Sequence, residues 1–423
     1  MSIILAVLIV VGVAAGRKIS TYVKEKRQAK ELEAQLEMQR EELEQQEQQE
    51  EKPGELVIET PPPVDDIIEV PTPEEQLEEY VNMCISEMPL EDKVASLFIV
   101  TPEALTGVST VTQAGDATKE ALSNYAVGGL VYFDKNIKSR EQLTEMLSTT
   151  ASSSKYPLFL AVDEEGGSVS RIANSKIDVV KVDEMSVIGT SQDSVAAREA
   201  GTTIGTYLKE LGFNLDFAPV ADVVTDTENS VLGSRSFGMD ATVAADMVSN
   251  VVEGMQESGV NACLKHFPGL GSAEEDTHEG RVETTRTLEE MRSSDFLPFQ
   301  AGIEAGANIV MVSHVTASSV DTEGLPSSLS KVVITNVLRG ELGFEGVVIT
   351  DALNMKAISE YYTAEEAAVM AIAAGADMLL MPEDFETAYN GLLAAVQEGT
   401  ISEERINESL RRIFRIKCAD KLE

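Results

Sequence analysis

From Glu74 onward, short apolar runs alternate with longer segments whose apolar residues return every three or four positions. The runs are Ala95 to Val100, Gly129 to Phe133, Leu158 to Val162, Asn214 to Pro219, Val260 to Lys265, Ile309 to Ser313, Val347 to Thr350 and Met378 to Met381. They are apolar almost throughout, which predicts strands covered on both faces, as in a parallel sheet. Between and after them, Glu141 to Thr149, Ser194 to Leu211, Thr242 to Ser258, Leu288 to Ala305, Ser330 to Leu342, Ala364 to Ala374, Phe385 to Glu398 and Ser402 to Ile416 predict amphipathic helices. Eight strands alternating with helices predict an α/β fold of the (β/α)8 TIM-type barrel class over residues 74–423. No dinucleotide or phosphate-loop fingerprint follows the first strand, which weakens an open Rossmann sheet.

The first 73 residues have a different pattern. Ile3 to Ala15 is an apolar run of 13, short of the roughly 20 that span a bilayer comfortably. Residues 1–16 therefore predict a short membrane anchor or the apolar part of a signal segment. Residues 17–52 are rich in Glu, Gln, Lys and Ala without Gly or Pro after Arg17, and predict a charged helical stalk. Leu32, Leu36 and Leu43 offer two weak heptads, so a single solvated helix and a stalk-mediated dimer both stay open, with a monomer the expected state. Residues 53–73 hold six of the 14 prolines and predict an extended linker. Stalk and linker together would reach on the order of 100 Å, a spacer from a membrane. The basic cluster after the apolar run favours a cytoplasmic barrel by the positive-inside rule, whereas the stalk suits the extracytoplasmic face of a bacterial membrane, which is the expected location.

Charge narrows the partners. With 33 basic against 72 acidic residues the net charge is −39, which repels nucleic acid and other polyanions and leaves neutral ligands easier to accommodate. Cys84, Cys263 and Cys418 are odd in number and widely spaced, and suggest neither a disulfide framework nor a zinc site.

Polar groups concentrate where the strands end, as function does in such barrels. They are Asp163-Glu164-Glu165 after the third strand, Asp222 after the fourth, Lys265-His266 after the fifth, His314 after the sixth and Asp351 after the seventh. A carboxylate leaving a β-branched run, as Asp351 does, is held on a rigid element and suits a nucleophile, though it also suits a helix N-cap. Lys265 and His266 would donate to a bound polyol, or Lys265 would neutralise a buried carboxylate. Asp276-Thr277-His278 suits acid/base work, because an imidazole titrates near neutral pH and a neighbouring aspartate fixes its tautomer.

These residues resemble glycoside hydrolase family 3, and within it the single-domain β-N-acetylglucosaminidases. The matching pieces are Pro89 to Val94, Asp163 to Gly167 with Arg171, Phe217 to Val223, Ser234 to Gly238, Lys265 to Gly269, Met311 to His314 and Thr350 to Met355. The resemblance implies a barrel that removes terminal β-N-acetylglucosamine with retention, without a cofactor or metal. It implies Asp351 as nucleophile, His278 as acid/base and Asp276 as its orienting partner. Asp163, Arg235, Lys265 and His266 become the implied sugar contacts, and Arg171 and Met355, inside the same motifs, join the substrate-binding set. The partner implied is a glycan or muropeptide containing N-acetylglucosamine. The chain departs from the family after Lys265-His266-Phe267-Pro268, with Gly269-Leu270-Gly271-Ser272-Ala273 in place of Gly-His-Gly-Asp-Thr, and has Ser168 and Ser170 where Arg and Gln are usual.

Other readings stay open. A neutral acid/base repels phosphate less than a carboxylate would, so phosphorolysis is a variant, and β-glucosidase activity is another. A barrel metallohydrolase would use His266, His278 and His314 with Asp351, although no His-x-His follows the first strand. A sugar-binding protein without turnover is a reading from a different class.

Overall fold

A computed structural model describes residues 71–226, 232–273 and 277–419. The expected anchor, stalk and most of the linker, with the membrane, coiled-coil and dimer readings that rest on them, lie outside the described residues. Among the described residues no helix is long and apolar enough to cross a membrane.

All eight expected strands form. In chain order they are β1 (Phe98–Val100), β2 (Gly129–Val131), β3 (Phe159–Val162), β6 (Leu215–Asp216), β7 (Asn261–Phe267), β8 (Ile309–Val312), β9 (Val347–Thr350) and β10 (Leu379–Leu380), with a hairpin of β4 (Glu164–Gly166) and β5 (Val169–Ser170) inserted after β3. The eight pair in parallel in the order β10, β1, β2, β3, β6, β7, β8, β9. A parallel bridge between Ile349 and Met378 joins the two ends, so the sheet closes on itself. Closure pairs the backbone groups that two sheet edges would otherwise expose. The runs are buried over most of their length, with Phe133, Asn214 and Met381 half-buried at their ends, because side chains fill the barrel inside and helices cover it outside.

Helix starts follow their caps. Thr72 and Glu75 form a capping box ahead of Pro73–Glu87, so this helix opens at the last residue of the expected linker. Asp193 and Asp240 cap Ser194–Leu211 and Ala241–Glu257 through their side chains. Those two helices approach closely at Gly201 and Gly254, where a Cβ would lie 2.2 Å from Val251 O and 2.3 Å from Arg198 O.

Two elements differ from expectation. The helix predicted over Leu288 to Ala305 is broken into Leu288–Ser293 and Phe296–Glu304. Pro298 explains the break, because its ring clashes with the carbonyl four residues back, at Ser294. Strand β7 runs two residues beyond Lys265, with a shift of register against β8 between Leu264 and Phe267. Phe267 holds this extension, stacking on Phe296 and meeting Phe299 edge-on.

The N-terminal ends of the strands are tied by Asp377, which is fully buried. It accepts from Val348 N–H at 2.9 Å and Ser409 Oγ at 2.7 Å, and pairs with Arg339, Arg405 and Arg412. Asp377→Ala should destabilise the barrel by about 3 to 5 kcal/mol, because three guanidinium groups lose their shared counter-charge. Urea unfolding followed by circular dichroism checks this.

Candidate active site

At the C-terminal ends of the strands lies a cavity of about 370 Å³ whose walls include Asp163, Arg171, Arg235, Lys265, His266, His278, Asp351 and Met355. Eight of the nine site residues expected from sequence therefore meet in one place. The ninth, Asp276, lies outside the described residues.

Strand β7 delivers Lys265, which is 2% exposed. Its Nζ lies 2.6 Å from Glu165 Oε1 and 2.9 Å from Asp163 Oδ1. Glu165 in turn takes a bidentate pair of bonds from Arg235, Nε at 2.7 Å and Nη2 at 2.8 Å. Burial would push the Glu165 carboxyl up, but Lys265 and Arg235 outweigh it and hold it down at about 2. Burial would likewise lower the Lys265 ammonium, and Asp163 and Glu165 reverse that and raise it. Arg171, the residue after β5, reaches toward Asp163 Oδ2 at 3.8 Å and lies over the Phe133 ring.

The β4 and β5 hairpin sorts three consecutive acids. Asp163 and Glu165 face the cavity, whereas the buried Glu164 accepts from Ile172 N–H, Ala173 N–H and Tyr207 Oη and pins the hairpin's return. Beneath it, Asp216 accepts from Glu164 N–H at 2.8 Å. Burial raises the Asp216 carboxyl well above the ordinary aspartate range.

Asp351 follows β9 directly. Its N–H donates to Val312 O at 2.8 Å, and its Oδ1 accepts from Ala352 N–H at 2.7 Å. It opens onto the cavity and is packed by protein on its other sides. Burial would raise its carboxyl, yet His314, His266, the Ala352 N–H and Lys265 turn the balance and hold it below the ordinary range. Burial also disfavours the charged form of His314. The bland reading of Asp351 as an N-cap is not borne out: the next helix is Lys356–Ser359, with Met355 at its cap position.

His266 is oriented by the buried Asp222. One carboxylate oxygen contacts both His266 N–H at 3.0 Å and Nδ1 at 2.8 Å, and the other accepts from Leu270 N–H at 2.6 Å. His314 lies between Ser328 Oγ at 2.8 Å on Nδ1 and Ala352 O at 2.9 Å on Nε2. Both its nitrogens are occupied and His266 is turned onto Asp222, and among the described residues no group of three or more His, Cys, Asp or Glu is placed to hold a metal ion. His278 is exposed on the loop after β7 and lines the same cavity as Asp351.

Residues 89–416 match the family described as "Glycosyl hydrolase family 3 N terminal domain". The chain belongs to glycoside hydrolase family 3. Beta-hexosaminidase A of Pseudoalteromonas piscicida is 32% identical over 325 residues, 70% of this chain and 54% of that protein. The beta-hexosaminidase of Stenotrophomonas maltophilia strain K279a is 36% identical over 242 residues, 56% of this chain and 71% of that one. In three dimensions the chain is similar to a glycoside hydrolase family 3 beta-N-acetylglucosaminidase from Paenibacillus sp. str. FPU-7, with a TM-score of 0.73 at 36% identity, covering 79% of this chain and 63% of the other. The chain thus spans about half the length of the first relative and under two thirds of the solved one.

Glu165 and Asp222 belong to this family 3 site although neither was expected as a site residue. Both lay in strand-end motifs visible in the sequence. Only the hairpin shows that Glu165 points inward with Asp163, and only the chain path after β6 shows that Asp222 reaches His266.

Glu165→Gln should raise KM at least about tenfold, since Lys265 and Arg235 lose the charge that holds them. The same variant tests the pH dependence of folding. A carboxyl depressed to about 2 contributes stability that is complete above its unfolded pKa near 4.5 and is lost as pH falls toward 2. The stability gap between wild type and variant should therefore shrink between about pH 4.5 and pH 2, as measured by chemical unfolding.

Proposed function

We propose that the chain is a retaining β-N-acetylhexosaminidase that removes terminal β-N-acetylglucosamine, with Asp351 as nucleophile and His278 as acid/base. One observation carries this reading: a single cavity receives an ionised aspartate from a rigid strand end and an imidazole from a loop, beside a ring of buried ion pairs. An Asp351 oxygen bonds to the anomeric carbon as the glycosidic C–O bond breaks, and protonated His278 gives its proton to the departing oxygen. Water, losing a proton to His278, then cleaves the glycosyl ester and restores both groups. Asp276 is proposed as the orienting partner of His278, on sequence grounds.

The rest of the cavity supports a neutral sugar. Asp163 offers acceptors and Lys265, Arg235 and His266 offer donors, fixed before substrate arrives. Val131, Met311 and Met355 supply apolar wall for the ring face and the acetamido methyl group. The names of the relatives, beta-hexosaminidase and beta-N-acetylglucosaminidase, support the same sugar. Chitooligosaccharide or peptidoglycan fragments are the proposed source, the apolar run Ile3 to Ala15 supports action at a membrane, and the long stalk and linker that follow it support the extracytoplasmic face.

Asp351→Asn should lose at least about a thousandfold in kcat/KM on 4-nitrophenyl β-N-acetylglucosaminide, a barrier increase of about 4 kcal/mol. Near-full activity would sink the assignment. Proton NMR of the first product should show the β-anomer. An assay with and without inorganic phosphate should release free sugar in both, and sugar phosphate as product would replace hydrolysis by phosphorolysis.

A further inference from the structure

The loop that carries His278 rests on a small apolar cluster separate from the barrel core. Leu270 and Ala273 come from the loop's outgoing leg, Val282 from its returning leg, and Val220, Val224 and Val315 from the strand-end segments beneath. All six are buried, with Val282 only 3% exposed. The outgoing leg lies flat on this floor. At Gly271 a Cβ would fall 2.1 Å from Val223 O, and Thr225 N–H donates to Gly271 O at 3.1 Å. The returning leg is held by Thr316 N–H to Val282 O at 2.8 Å and Thr284 N–H to Thr316 O at 3.0 Å. Ser272 Oγ and Thr284 Oγ1, 2.8 Å apart, join the two legs.

His278 lies between legs that are closed onto each other over this patch. We propose that the cluster is a positioning device: it sets both ends of the loop so that His278 meets the departing glycosidic oxygen. This rests on the reading of His278 as acid/base. Apolar packing suits the task because it is non-directional and leaves the polar groups of the cavity free for the sugar. Leu270 also lines the cavity, so the residue that closes the legs meets the substrate as well.

Val282, which does not line the cavity, is the residue to vary. Val282→Ala removes part of the packing, and Val282→Thr keeps its shape while placing a hydroxyl among apolar groups. Each variant is compared with wild type on two glycosides of N-acetylglucosamine, chitobiose and the 2,4-dinitrophenyl glycoside. Departure of dinitrophenolate needs no proton, whereas departure of a sugar does. The expected result is a fall in kcat/KM of at least about tenfold on chitobiose and less than about threefold on the dinitrophenyl glycoside. Equal falls on both, or no fall on either, would overturn the proposal. If the alanine variant fails to fold, the threonine variant decides. Amide hydrogen exchange over residues 277–287 gives a readout independent of catalysis. Faster exchange in the variants is expected, and unchanged exchange would overturn the positioning role. If wild type cleaves neither glycoside, the hexosaminidase reading fails instead, and the exchange result alone decides the role of the cluster.

Discussion

A lysine ammonium sealed at the mouth of a barrel must be paired, because a lone charge taken from water costs several kcal/mol. Lys265 meets that demand with two carboxylates, and much of the site follows from it. Glu165 has to point inward, so the hairpin turns Glu164 the other way, onto Tyr207 and two backbone N–H groups. Glu165 then brings Arg235 across the cavity in bidentate geometry. Donors and acceptors are thereby fixed around the cavity, and little side-chain freedom is left to lose on binding.

The two working parts of the cavity are held by different forces. The wall around Lys265 is ionic and hydrogen-bonded, and Asp222 ties His266 and Leu270 beside it. The loop with His278 is fastened mainly by apolar side chains around Leu270 and Val282. Leu270 takes part in both, through its backbone N–H in one and its side chain in the other. Far from either, Asp377 and its three arginines tie the opposite end of the barrel, where no substrate competes for them. Stability and chemistry are thus separated along the barrel axis, as the fold allows.

Much of this was legible in advance, for a physical reason. A parallel barrel buries its strands on both faces, so each one is an apolar run whatever the rest of the chain does, and all eight stood out. Functional side chains gather at strand ends, which made Asp163, Lys265, His266 and Asp351 visible as polar groups interrupting those runs. The helix over Leu288 to Ala305 misled because its apolar period continues through a break that Pro298 imposes on the backbone. Glu165 could not be told from Glu164 by type or neighbourhood, since the sequence does not show that this segment runs extended, and the extended hairpin strand is what sets Asp163 and Glu165 on one face and Glu164 on the other.

The sequence by itself determined the class of fold, the membership of glycoside hydrolase family 3 and most of the charged residues that meet in the cavity, because these depend on hydrophobic period and on short contiguous motifs. Only the tertiary structure decided who pairs with whom. Asp222 lies 44 positions before His266 and Glu165 lies 70 before Arg235, and contacts between such distant residues arise only when the barrel closes. The stretch Gly269 to Ala273 shows the same division. In sequence it is a departure from the family's polar pattern, and in the folded chain Leu270 and Ala273 pack over a patch made by residues from three other segments.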